Sequence, residues 1–286
     1  MTNRSRRPTA KETQRVNTAA DRERKRASGG RLIAVGDIHG YSEALRGLLE
    51  AIDPKPDDTI VTLGDYVDRG PDSAGVIDLL IDLAKTCRLV PILGNHDQMF
   101  LDVIEVDSPD MYRDWLSYGG TATLRSMGID HPEDTPRRYR LFLNRCVDYY
   151  ETESHFFIHA NYLHDQPLKR LSVWVMRWES LRQRVPGPHF SGKTAVVGHT
   201  AQKNGRVLDL GYLKCIDTYL YGGGRLTALD VDRNHLWQTD AAGTVVYSGA
   251  LNGEVAARKT AEADAASPSP ESETQDVTAE NDDTTA

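Results

Sequence analysis

Six side chains in this chain are of the types that hold divalent cations: Asp37, His39, Asp65, Asn95, His159 and His199. Four sit in the clusters Gly36-Asp37-Ile38-His39-Gly40, Gly64-Asp65-Tyr66-Val67-Asp68-Arg69-Gly70 and Gly94-Asn95-His96-Asp97. Two are single histidines, in Phe156-Phe157-Ile158-His159-Ala160-Asn161 and Val196-Val197-Gly198-His199-Thr200. Mixed carboxylate, imidazole and amide donors suit borderline-hard ions such as manganese, iron or zinc. Six donors, one of them able to bridge, are enough for two ions with open positions. A lone Asp-x-His after a strand is more often a turn or a helix cap, and a lone His is more often structural. Five such sites in order, each behind an apolar run, point instead to one dinuclear centre.

The elements that must deliver these groups are legible around them. Leu32–Val35, Thr59–Leu63 and Leu89–Leu93 are short apolar runs that read as buried strands, each ending in Gly and a polar residue. Between them, residues 41–52 and 71–85 carry apolar side chains at helical spacing. Strand–helix alternation implies a parallel sheet with its polar groups gathered at the carboxyl edge, where ligands of open α/β sheets bind. Pro91 is an irregularity for a central strand. Residues 97–148 read as helical, in stretches through Ile104, from Met111 to Tyr118 and from Arg137 to Cys146. Strands return at 155–159 and 194–198, then at 207–210, 212–217, 226–231, 236–237 and 244–247, the later ones short and turn-separated as in an antiparallel sheet. The expected fold is α/β, two mixed sheets packed face to face with helices outside.

Charge divides the chain differently. Residues 1–30 hold nine Lys/Arg against three acids, and residues 251–286 nine acids against Arg258 and Lys259. Both ends have few large apolar side chains, so residues 1–29 and 251–286 are expected to be disordered tails around a catalytic domain over 30–250. The basic tail lacks interleaved aromatic residues, which argues against nucleic acid as a partner. There is no apolar run of the roughly 20 residues needed to cross a bilayer. Three scattered cysteines (Cys87, Cys146, Cys215) form no disulfide framework, so a reducing, cytoplasmic setting is expected.

The three Gly-led clusters and the two later histidines resemble the phosphoprotein phosphatase family of calcineurin-like metallophosphoesterases over roughly residues 31–232. The resemblance implies an α-β-β-α sandwich and two divalent cations, with manganese expected first and iron or zinc as alternatives. By motif, one ion would be held by Asp37, His39 and Asp65, and the second by Asp65, Asn95, His159 and His199. His96 would be the general acid, oriented by Asp68, and Arg69 would grip phosphoryl oxygens. A second phosphate-binding arginine is expected between the later histidines, Arg177 first and Arg182 as the alternative. The chemistry agrees: paired cations activate water, a histidine protonates the leaving oxygen, and a guanidinium matches the phosphoryl charge. The chain departs from the eukaryotic protein phosphatases at Asp97, where they carry Glu, and at Ala160-Asn161, where they carry Gly-Gly. Its Cys215-Ile216-Asp217-Thr218 and Tyr221-Gly222-Gly223-Gly224-Arg225 segments are similar to bacterial-type serine/threonine phosphatases and to symmetrical diadenosine tetraphosphate hydrolases.

Phosphoserine or phosphothreonine in proteins is therefore the expected substrate class, and a dinucleoside tetraphosphate the alternative. The latter needs a nucleobase platform, for which Tyr112, Trp115 and Tyr118 are candidates, although aromatics at that spacing are more often core. A catalytically inactive binding module on the same fold is a third reading, disfavoured because every expected ligand and His96 are present.

Overall fold

The computed structural model describes residues 29–251, so the expectations for the charged ends fall outside the described residues, apart from Gly29 and Leu251. The first sheet takes strands β1 (Leu32–Val35), β2 (Thr59–Thr62) and β3 (Arg88–Pro91), the expected parallel set. The chain returns late to extend this sheet with β9 (Leu226–Asp230), β10 (His235–Thr239) and β11 (Val245–Ala250), in the order β11-β10-β9-β1-β2-β3. Strand β9 pairs antiparallel to β1, so β1 is central although it comes first in the chain. Pro91 is tolerated because β3 is an edge strand, where a missing N–H costs least.

The second sheet runs β4-β5-β6-β8-β7. It consists of β4 (Tyr149–Glu151), β5 (His155–Ile158), β6 (Thr194–Val197), β7 (Leu208–Asp209) and β8 (Leu213–Cys215). Strand β8 lies parallel to β6, not antiparallel as its short, turn-bounded sequence suggests: the β7–β8 hairpin gives β7 the edge and turns β8 back beside β6. Strand β4 is an addition to the expected strands, beginning one residue past the region 97–148 expected to be helical.

Continuous apolar strands follow from burial on both faces. Leu32, Ala34, Val61 and Val90 of the first sheet meet Phe157, Val196 and Ile216 of the second in one core. The alternate residues Ile33, Val35 and Ile60 face helices α1 (Ser42–Ile52) and α2 (Ser73–Thr86). Phe156, Ile158, Ala195 and Val197 face Tyr162, Leu168 and Met176 on the far side. The layers are helix, sheet, sheet, helix, as expected.

Helix α3 (Asn95–Glu105) starts on the third Gly-led cluster. The region expected to be helical continues as α4 (Pro109–Trp115), a wide π turn (Leu116–Gly120), α5 (Thr121–Met127) and α6 (Arg137–Leu143). The π turn cuts the expected 111–118 helix at Trp115, with Gly119 at φ 111°. Among the described residues, no helix is long and apolar enough to cross a membrane.

Candidate active site

Loops at the carboxyl ends of β1, β2, β5 and β6, with the start of α3, bring the six donor residues together. The loops are strained where they do so. His39, Asp65, Asp68, Arg69 and His199 all adopt positive φ, between 47° and 71°. Such conformations cost about 1–3 kcal/mol each and persist only where surrounding structure enforces them. Glycines make the approach possible: a Cβ on Gly198 would lie 2.1 Å from Asp37 Oδ1, and one on Gly64, at φ 107°, 2.5 Å from Gly94 N.

Asp65 is the hub. Its Oδ1 accepts the His96 amide N–H at 3.0 Å and lies 3.5 Å from His159 Nε2, while Oδ2 lies 3.5 Å from His39 Nε2. Donor atoms of His39, Asp65 and His96 lie within 4.8 Å of one another, as do those of Asp65, His159 and His199. The second group matches the expected second ion site. In the first, His96 stands where Asp37 was expected. The Asp37 carboxylate instead accepts the His199 amide N–H at 3.0 Å, and it is repelled by Asp217 and Asp65.

The tautomers expose unpaired lone pairs. His159 Nδ1 faces the Leu63 carbonyl at 2.7 Å, so it carries the proton and Nε2 does not. His199 is reversed, with Nε2 donating to the Trp178 carbonyl at 3.1 Å and Nδ1 left bare. Both bare nitrogens lie 3.0 Å from Asn95 Oδ1, itself an acceptor. Three acceptors thus face one another beside an Asp65 carboxylate with no proton among them. This donor set fits a divalent cation, and the carbonyl bonds behind the rings are the outer-shell contacts that orient metal-binding histidines.

Electrostatics agree. Burial, and secondarily the neighbouring His159, lowers the His199 pKa to about 4; burial lowers those of His39 and His159 too, against the pull of Asp65. All three imidazoles are therefore neutral and able to ligate at neutral pH. Burial works against ionisation of Asp65, but at acid pH the charges of the protonated imidazoles around it, His159 first, outweigh burial and hold its carboxyl below the usual range. Burial raises Asp37 well above that range, with Asp217 and Asp65 adding to it.

His96 lies beside this centre. Its Nδ1 donates to Asp68 Oδ2 at 2.8 Å, and its Nε2 accepts from Arg69 Nη2 at 2.9 Å. Arg69 Nη1 donates to His39 Nε2 at 2.7 Å, so one guanidinium spans both imidazoles, with its Cζ 3.9 Å from the centre of the Tyr221 ring. Asp68 is itself held by Trp115 Nε1 at 3.1 Å and Thr123 Oγ1 at 2.7 Å. Trp115 is buried and stacked on Phe100, so of the three aromatics considered as a base platform it is core. Tyr112 packs partly buried against the same core. Tyr118 is 55% exposed, its ring centre 6.4 Å from that of His96.

Arg177 is buried, and its charge reaches His159. Its terminal nitrogens are already engaged, Nη1 with Gln98 Oε1 at 3.0 Å and Nη2 with Asp148, and only Nε lacks a partner. Arg182 is exposed and donates from Nη2 to the Ala201 carbonyl at 2.6 Å.

Sequence reasoning missed several participants. Asp97, noted only as a departure from Glu, accepts the amides of Asp65, Tyr66 and Gly94 at 2.8, 2.9 and 3.0 Å and ties two of the clusters together. Asp217 and Tyr221 reach the centre from the β8–β9 connection. Their only signal in the sequence was the Cys-Ile-Asp-Thr and Tyr-Gly-Gly-Gly wording, which carries no spacing rule of its own.

A family model described as calcineurin-like phosphoesterase matches residues 30–203, a span that includes all six donors. Serine/threonine-protein phosphatase 1 of Salmonella typhimurium is 30% identical over 204 residues, covering 68% of this chain and 88% of that protein. The symmetrical bis(5'-nucleosyl)-tetraphosphatase of Acidovorax sp. (strain JS42) is 48% identical over 67 residues, 23% of each chain. The structure of a cold-active protein tyrosine phosphatase shares the fold at a TM-score of 0.55 and 18% identity, covering 77% of this chain and 78% of that one. With more than half of its residues inside the family match, and with the two-sheet frame in agreement, this chain belongs to the calcineurin-like phosphoesterase family.

Proposed function

We propose that the chain hydrolyses phosphomonoesters, with phosphoserine and phosphothreonine in proteins as the substrate class. The observation that carries this reading is the proton-free meeting of Asp65, Asn95, His159 and His199, with His39 on the other side of Asp65. Asp37, His39 and Asp65 hold one divalent cation in this reading, and Asp65, Asn95, His159 and His199 the other, manganese being favoured over iron or zinc. Such a pair supplies activated water and neutralises charge on the phosphoryl oxygens when bound.

The remaining steps belong to side chains. Arg69 leaves its two imidazole acceptors and donates to phosphoryl oxygens, for which its paired N–H groups are suited. His96 Nε2, released from Arg69, takes up a proton and delivers it to the leaving oxygen, while Asp68 stabilises the imidazolium through Nδ1. Arg177 is the second phosphate-binding arginine only if its pairing with Asp148 opens, so Arg69 carries most of that role. Three buried free thiols support a reducing, cytoplasmic setting.

The phosphoprotein reading draws support from the Salmonella typhimurium relative, which this chain matches over 88% of its length. The second reading, a dinucleoside tetraphosphate hydrolase, draws support from the 48% identity confined to 67 residues. Release of phosphate from a phosphoserine peptide, measured beside cleavage of diadenosine tetraphosphate with manganese present, separates them. Faster turnover of the dinucleotide overturns the first reading. Absence of turnover on any phosphoester with any of the three metals overturns both and revives the inactive module.

A further inference from the structure

Immediately past His199 the chain turns away from the metal donors and, with the segment that follows Trp178, lines a groove of about 390 Å³. The same contacts that position His199 build this groove. Trp178 O accepts a hydrogen bond from His199 Nε2 at 3.1 Å, the Leu181 amide donates to Thr200 Oγ1 at 2.9 Å, and Arg182 Nη2 donates to Ala201 O at 2.6 Å. Its walls carry the apolar side chains of Leu181, Val185 and Leu208 and the cations Arg182 and Lys203, with no carboxylate and no aromatic ring among the lining residues. Val185 is 55% exposed, and Lys203 is exposed with its Nζ 5.9 Å from the Tyr219 ring centre. Ala201 and Lys203 lie two and four residues after His199, reaches of at most about 7 and 14 Å, which two to four residues of extended peptide span at about 3.3–3.6 Å each.

Arg182 also acts on the buried Asp217, but with no carboxylate in the lining itself Arg182 and Lys203 favour an anion, and aliphatic walls without an aromatic face suit a peptide side chain better than a nucleobase. We propose that this groove seats the residues flanking the phosphorylated position of a phosphoprotein. An acidic side chain meets Arg182 and Lys203, and an apolar one packs between Leu181, Val185 and Leu208. The inference rests on the phosphoprotein reading above and adds the substrate preference: acidic and apolar residues two to four positions from the phosphoester.

The test compares two phosphoserine peptides that differ only at those positions, one with Glu and Leu, the other with Ala at both. The expected kcat/KM ratio in favour of the first is about five- to tenfold for the wild-type protein. Lys203→Glu and, independently, Val185→Asp bring the ratio to about one, and because it is a ratio within one variant, basal activity cancels. A wild-type ratio of one, or a ratio that survives both substitutions, overturns the groove and leaves the phosphoprotein reading standing. Hydrolysis of p-nitrophenyl phosphate with neither peptide cleaved removes the phosphoprotein reading and the groove together.

Discussion

At the scale of single residues, the chemistry depends on which nitrogen of each imidazole carries a proton. His96 donates to Asp68 from Nδ1, which leaves Nε2 as the atom that exchanges protons with substrate in the proposed reaction. His96→Asn is therefore expected to lower kcat by about 10²–10⁴-fold on alkyl phosphates, and by much less on p-nitrophenyl phosphate, whose leaving group needs no proton. The slope of log kcat against leaving-group pKa measures this, and an unchanged slope would exclude His96 as the acid. Arg69 occupies the lone pair of His39 Nε2 and places a positive charge beside the proposed cation sites. Arg69→Ala should thus tighten manganese binding several-fold in calorimetry while lowering kcat/KM, because a nearby like charge and a competing donor are both removed. Weaker manganese binding in this variant would contradict that assignment.

At the scale of elements, strand ends aim the donors, and the cap from α3 to α5 holds them steady. The Arg69 amide donates to Gly119 O at 3.2 Å, and Trp115 with Thr123 grips Asp68, so the region expected to be helical also positions the partner of the proposed general acid. Trp115→Phe keeps most of the stacking on Phe100 but removes the indole N–H; a modest loss of stability, about 1 kcal/mol, with a larger loss of kcat is expected. Urea denaturation beside turnover separates the two effects. Gly64→Ala is expected to be far more damaging, since its Cβ would lie 2.5 Å from Gly94 N and 2.9 Å from His159 Nδ1 at a φ of 107°. Loss of manganese binding together with lowered thermal stability would mark displacement of both strand-end loops.

At the scale of the whole molecule, the fold gathers buried carboxylates that destabilise one another. Asp217 has its pKa raised to about 6, chiefly by burial, with Asp65 adding to it against the Tyr219 amide and the Arg69 and Arg182 charges. An unfolded Asp titrates near 3.9, so between about pH 4 and 6 the native state holds a proton that the unfolded state has lost. Stability from this group is complete below pH 4 and lost as pH rises through 6. His199 runs the other way. With a folded pKa of about 4 and an unfolded value near 6.5, it destabilises the native state as pH falls from 6.5 to 4. Chelator-treated Asp217→Asn protein should therefore be more stable than wild type at pH 7–8, by up to about 3 kcal/mol, with the gain vanishing near pH 4. Thermal melts across that range check the sign. Manganese should raise the wild-type melting temperature in a concentration-dependent way, and Asp65→Asn, which removes the shared carboxylate, should abolish most of that rise.

The sequence by itself named the six proposed donors and determined the alternation that places them near strand ends and the helix–sheet–sheet–helix frame. Those features are local: strand, glycine and ligand follow one another within a few residues, and their physics is short-ranged. Only the tertiary structure decided what meets across the chain. It placed β9 against β1 and β8 parallel to β6, brought Trp115 to Asp68 over 47 residues, and joined Asp97 to the Asp65 turn over 32. It also tied Arg177 to Asp148 and Gln98, where its sequence position between the two later histidines suggested substrate. Those outcomes depend on packing and on competition for hydrogen bonds between distant segments, for which no spacing along the chain is diagnostic.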